Sequence, residues 1–115
     1  MKDLREESWQ RLLHIEKAIA AIEQYVAGKN ISSFCKIAML HDAVPFQFVI
    51  IGETIVNVTN ELLSKYDYPW YKVKSFRNKI AHEYFNIKLP AVWQIIESDL
   101  AELSQVIKQM RKNEY

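Results

Sequence analysis

The sequence predicts an all-α protein, an up-down bundle of four principal helices plus one short helical turn, and three observations lead there. Its 115 residues include only two glycines and three prolines, so the chain has few places to turn. The helix formers Ala, Leu, Ile, Glu, Lys and Gln fill the long stretches between them. Half of the residues are apolar. They recur three and four positions apart, the period of a helix with one buried face.

Each element follows from that period. Leu12, Ile15, Ile19, Ile22 and Val26 form the stripe of a first helix, which Gly28 ends. Between Asn30 and Lys36, Ser32 and Ser33 are candidate caps for a short turn around Phe34 and Ile37. The segment from Asp42 to Leu63 is ambiguous by composition, since β-branched residues at 49–51 and 54–59 favour strands. Period decides for a helix, because Val44, Phe48, Ile51, Ile55, Val58 and Leu62 keep the three-four rhythm over a length no ordinary strand reaches. A start near Asp42 places Pro45 in the first turn, whereas an earlier start would leave Pro45 to kink the helix. After the connection Lys65 to Tyr68, Pro69 takes the first position of a third helix, Trp70 enters the core edge, and the helix runs through Tyr84 to close at Asn86-Ile87-Lys88. Pro90 opens the last helix, with Trp93, Ile96, Leu100, Leu103, Ile107 and Met110 on its stripe. The polar tail 111–115 is expected to fray. With no repeat, low-complexity tract or second unit in view, residues 1–115 read as one domain.

A formal net charge of +1 gives no global field for a polyanion, so any nucleic-acid binding must rest on a local basic patch. The lone Cys35 can form no internal disulfide, which fits a reducing compartment. The charged start Met1-Lys2-Asp3-Leu4-Arg5 is unlike a signal peptide, and no apolar run approaches the ~20 residues that span a bilayer. The expectation is a soluble cytoplasmic protein with no membrane partner.

Chemistry concentrates in Arg77-Asn78-Lys79-Ile80-Ala81-His82-Glu83-Tyr84. At about 100° per residue, Asn78 and His82 share a face one turn apart, and Arg77 stands about 140° from His82, within reach of its long side chain. Val73, Phe76, Ile80 and Tyr84 make the apolar stripe on another flank. His82 is the first candidate for acid–base work, against a plainer reading in which it is a partly buried histidine bonded to Asn78. His14 and His41 have no comparable neighbours.

Arg77 with Lys72, Lys74 and Lys79 makes a basic cluster interleaved with Tyr68, Trp70, Tyr71 and Phe76. Cations that neutralise phosphate beside aromatic faces that stack on unpaired bases suit RNA; the plainer reading is a solvated face over core aromatics. Glu53 follows the apolar run 49–52, where a buried carboxylate would need Arg77 or His82 as partner, or else it faces solvent at the helix boundary. His82, Glu83 and Glu53 lack the density and spacing of a metal site, and there is no glycine-rich phosphate loop and no Ser-His-Asp pattern. What remains is metal-free acid–base catalysis, with a guanidinium stabilising a phosphorane and RNA supplying its own 2′-OH nucleophile.

Arg77, four residues, His82, one residue and Tyr84 resemble the R-X4-H-X-Y signature of the HepT-like toxins of the HEPN superfamily. Asp42-Ala43-Val44, Ile50-Ile51-Gly52-Glu53, Pro69-Trp70, His82-Glu83-Tyr84-Phe85 and Val92-Trp93 extend the likeness over roughly Leu12 to Ile107, with Pro45 a departure from its usual run. The resemblance implies a helical homodimer joined through its motif helices and acting as a metal-independent endoribonuclease on tRNA or mRNA. It implies catalytic roles for Arg77, His82 and, at the polar position after the arginine, Asn78; the residues themselves suggest support from Glu53 and RNA contacts from Lys72, Lys74, Lys79 and Tyr71. It further implies a toxin whose antitoxin, an MntA-type nucleotidyltransferase, uses ATP to adenylylate Tyr84, with no cofactor of the chain's own. A modified Tyr84 would carry bulk and negative charge that oppose RNA phosphate. The other readings are a non-catalytic helical dimer that binds nucleotide or substrate for a nucleotidyltransferase partner, and a purely structural dimer.

Overall fold

Helical period becomes helix along most of the chain. The computed structural model describes residues 4–83 and 86–115, and among these it shows seven α-helices and no strand. In α1 (Leu4–Val26) the stripe Leu12, Ile15, Ile19 and Ile22 is buried, and Ala18 joins it. Gly28, past its end, has φ +72°, the left-handed region that only glycine enters freely. Asn30, rather than Ser32 or Ser33, caps α2 (Ile31–Lys36): its Oδ1 accepts from the Ser33 N–H at 2.9 Å while Ser33 Oγ accepts from the Asn30 N–H at 3.0 Å. Ser33 thus reciprocates the cap instead of making it. Phe34 of α2 is fully buried, its ring 5.3 Å from that of Trp93.

The second long helix departs from expectation at both ends. It begins at Ala38, so Pro45 lies in the interior of α3 (Ala38–Val56), buried, and denies the His41 carbonyl its usual donor one turn on. It also stops at Val56. The Asn57 side chain donates to the Glu53 carbonyl at 2.9 Å, Thr59 turns extended, and Thr59 Oγ1 accepts from the Leu62 N–H at 3.2 Å to cap α4 (Asn60–Ser64). Val58 and Leu62 are still buried, so the stripe survives a break in the helix that carries it. By length and composition alone α3 is able to cross a membrane, which the sequence reading did not anticipate; its buried residues pack it against α1 and α5, as in a core helix.

The motif helix α5 (Trp70–His82) has Pro69 as its N-cap, and the Trp70 indole N–H donates to the Leu63 carbonyl at 3.0 Å. It runs to His82, and Glu83 leaves helical geometry with φ −117° and ψ 27°; the expected continuation through Tyr84 falls outside the described residues. An acid at a helix C-terminus opposes the macrodipole, whereas Lys79 and His82 in the last turn suit it. The last expected helix is likewise two, α6 (Leu89–Ser98) and α7 (Leu100–Glu114), hinged at Asp99. α7 takes in 111–114 of the polar tail. Arg111 pairs with Glu16 of α1, and Glu114 receives Lys65 Nζ at 3.1 Å and the Tyr66 hydroxyl at 3.0 Å.

α3 packs against both α1 and α5, and α1 packs also against α7, so the long helices follow the order α7, α1, α3, α5. One contiguous core of Leu, Ile, Val, Phe and Trp side chains runs through them.

Candidate active site

The close contact of α3 and α5 sets the site. Gly52 lies where the helices meet, and a Cβ there would overlap Arg77 Cβ and Cγ. Without that side chain, Arg77 crosses onto α3 and pairs with Glu53, the next residue: Nε donates to Oε1 at 2.7 Å, and a terminal nitrogen donates to the same oxygen. The other terminal nitrogen donates to Asn78 Oδ1. Each terminal nitrogen keeps another N–H for a ligand. The Arg77 side chain is 28% exposed and that of Glu53 49%, so this is a surface pair that holds a guanidinium in place at the mouth of the helix contact.

Of the two readings of Glu53, the carboxylate therefore has Arg77 as its partner while remaining open to solvent. Asn78 turns to Arg77, and His82 is exposed, which removes the plain reading of a partly buried His82 bonded to Asn78. Arg77, Asn78 and Glu53 come together, and His82 follows one turn beyond Asn78 as the last residue of α5, exposed. Tyr84, with Phe85, lies outside the described residues.

The expected RNA-contact residues divide. Tyr71, Lys72 and Lys79 line a groove of about 580 Å³ between α5 and the α6–α7 junction, and Lys74 does not. Phe76 enters the groove with its ring edge-on to Phe48, centroids 5.0 Å apart. At the α7 end, burial first, then the charges of Asp99 and Glu102, push the Tyr68 hydroxyl up to about 12, so its phenol stays neutral. Among the described residues, no group of three or more His, Cys, Asp or Glu side chains is placed to hold a metal ion.

Sequence reasoning gave Gly52 no role of its own. The signal was present: a glycine in a strongly apolar helical run costs about 1 kcal/mol against alanine and asks for a packing reason. The groove was out of reach, since its far wall depends on the hinge at Asp99.

A guanidinium with N–H groups to spare and an exposed imidazole thus stand on the last two turns of one helix. The chain belongs to the HepT-like ribonuclease family, whose model, described as Ribonuclease HepT-like, matches residues 15–110. A Methanocaldococcus jannaschii protein, named as a gamma-glutamylcyclotransferase and candidate RNase, is 33% identical over 84% of this chain, which spans only 44% of that relative. A candidate RNase of Caldanaerobacter subterraneus subsp. tengcongensis is 29% identical over 90% of the chain and 93% of its own length. A Thermococcus cleftensis protein named a probable ribonuclease HepT is 26% identical over 85% of the chain and 90% of its own length. No solved structure gives a significant match.

Proposed function

We propose that this chain is a metal-independent endoribonuclease and the toxin of a HEPN/MNT toxin–antitoxin pair, acting in the cytoplasm as a homodimer. The observation that carries the reading is the Arg77 guanidinium, fixed by Glu53 over Gly52 on the helix whose last residue is an exposed His82. Arg77 presents its remaining N–H groups to a phosphoryl oxygen and stabilises the charge that builds there. One histidine takes the proton of the RNA 2′-OH, whose oxygen attacks phosphorus. The P–O5′ bond breaks, a second histidine protonates the leaving 5′ oxygen, and a 2′,3′-cyclic phosphate remains.

One protomer offers one such histidine, and the second comes from a second copy. A suitable surface lies beside the site: Met39 is 81% exposed and Phe46 58%, seven residues apart on the face of α3 that continues to Ile50 and Glu53. A dimer burying this stripe brings two motif helices near one another. Tyr84, two residues beyond His82, is the position an MntA-type nucleotidyltransferase adenylylates, using ATP, to block RNA.

His82→Ala and Arg77→Ala should each lower cleavage of RNA by about a hundredfold or more. Normal cleavage by both purified variants would remove the site assignment. Expression of the wild-type chain alone should arrest bacterial growth and His82→Ala should not; tolerance of both points to the non-catalytic binding dimer. Intact-mass analysis after incubation with the partner and ATP should show adenylyl increments that Tyr84→Phe abolishes.

A further inference from the structure

We propose that the groove between α5 and the α6–α7 junction is a nucleotide subsite, which takes the base of an unpaired RNA residue and holds its phosphates on Lys72 and Lys79. The proposal rests on the ribonuclease reading and adds where the strand lies. α5 packs on α3 without packing closely on α6 or α7, and the groove lies in the space between them. Phe48 and Ile51 of α3 form its floor, with Leu100 and Leu103 on the α7 side. At about 580 Å³ it falls within the range of small-ligand sites.

Its walls differ in charge, and that difference selects the occupant. The α5 wall presents Lys72 and Lys79, seven residues apart on one side of the helix, and among the described residues neither ammonium is in an ion pair. The opposite wall presents Gln94, Ser98 and Asp99, which can pair with the edge of a base, while the Asp99 carboxylate repels phosphate. A nucleotide is therefore oriented, base toward the α6–α7 hinge and phosphate toward α5. Tyr71, 67% exposed at the rim, offers a ring for stacking at little desolvation cost. Lys79 precedes His82 by three residues, so a strand leaving the groove at Lys79 passes the imidazole. A second copy of the chain fits this groove less well, since the most exposed apolar side chains of the core helix, Met39 and Phe46, are not part of its lining.

The test is fluorescence anisotropy with a labelled single-stranded RNA of about ten nucleotides, on a His82→Ala background that leaves the RNA uncut. Ser98→Trp and Gln94→Trp, both at exposed positions, fill the groove from its far wall without removing a cation. Each should weaken binding about tenfold or more, the value of one stacked base. Lys72→Ala and Lys79→Ala should weaken it and each lower the salt dependence by about one ion, while Lys17→Ala on α1 should do neither. Unchanged RNA affinity in both tryptophan variants would overturn the proposal, as would a change in solution mass in place of RNA affinity, which would mark a protein-binding groove. Groove-dependent RNA binding by a wild-type chain that cuts no RNA would remove the catalytic reading and leave the nucleotide site standing.

Discussion

At the scale of single residues, the contact that decides the site contains no polar atom. Gly52 lets Arg77 lie across α3, and only then does Glu53 reach the guanidinium. Gly52→Ala sets two effects against each other: alanine gains up to about 1 kcal/mol of helix propensity, while overpacking against Arg77 costs about 1–3 kcal/mol. A net fall in Tm is expected, with cleavage falling further because Arg77 is displaced; a rise in Tm would show that the helices do not meet there. Glu53→Gln separates position from stability. An exposed pair contributes about 0–1 kcal/mol, so Tm should barely move while kcat falls several-fold and Glu53→Asp restores part of it. Arg77, Asn78 and His82 were legible in the sequence because their relation is helical spacing within α5. Gly52 was not, because the reason for it sits on another helix.

At the scale of elements, the buried stripes were legible and the breaks were not. Val44, Phe48, Ile51, Ile55, Val58 and Leu62 are all buried, as their spacing requires, yet the helix beneath them stops after Val56. Periodicity reports which face meets the core over many residues. A break depends on one or two side chains that bond to the backbone, here Asn57 and Thr59, and such bonds leave the apolar pattern intact. The break at Asp99 between α6 and α7 lacks a side-chain cap bond, and there too the stripe continues, from Trp93 through Leu100 to Met110. Pro45 shows the opposite case, a local rule overridden by packing, since its side chain is buried in the middle of α3. If Thr59 does cap α4, Thr59→Ala should cost about 1 kcal/mol in denaturant unfolding, and Thr59→Asp should restore most of it. An unchanged midpoint for Thr59→Ala would show that packing of Leu62 and Leu63 alone holds the turn.

At the scale of the whole molecule, the chain is tied end to middle. Hydrogen bonds from Lys65 and from Tyr66, with the Lys65 charge behind them, hold the Glu114 carboxyl below its ordinary range. A carboxylate depressed in the folded state adds stability above its unfolded value, about 4.3, and loses it as pH falls through the folded value. The Tm advantage of the wild type over Glu114→Gln should therefore be full near neutrality and vanish in acid; a difference that grows in acid would contradict the tie. Beyond one chain, the proposed division of labour between two histidines makes a different demand. Mixing wild-type protein with His82→Ala protein under subunit exchange yields mixed dimers that hold only one imidazole. If acid and base come from different protomers, mixed dimers are inactive and cleavage falls with the square of the wild-type fraction. If each protomer carries a whole site, cleavage falls in simple proportion to that fraction, and the two-histidine mechanism is wrong even though His82 remains catalytic. If one imidazole suffices per site, a mixture of His82→Ala and Arg77→Ala proteins reports whether the guanidinium serves its own histidine or the one across the cleft, because such mixed dimers regain activity only in the second case.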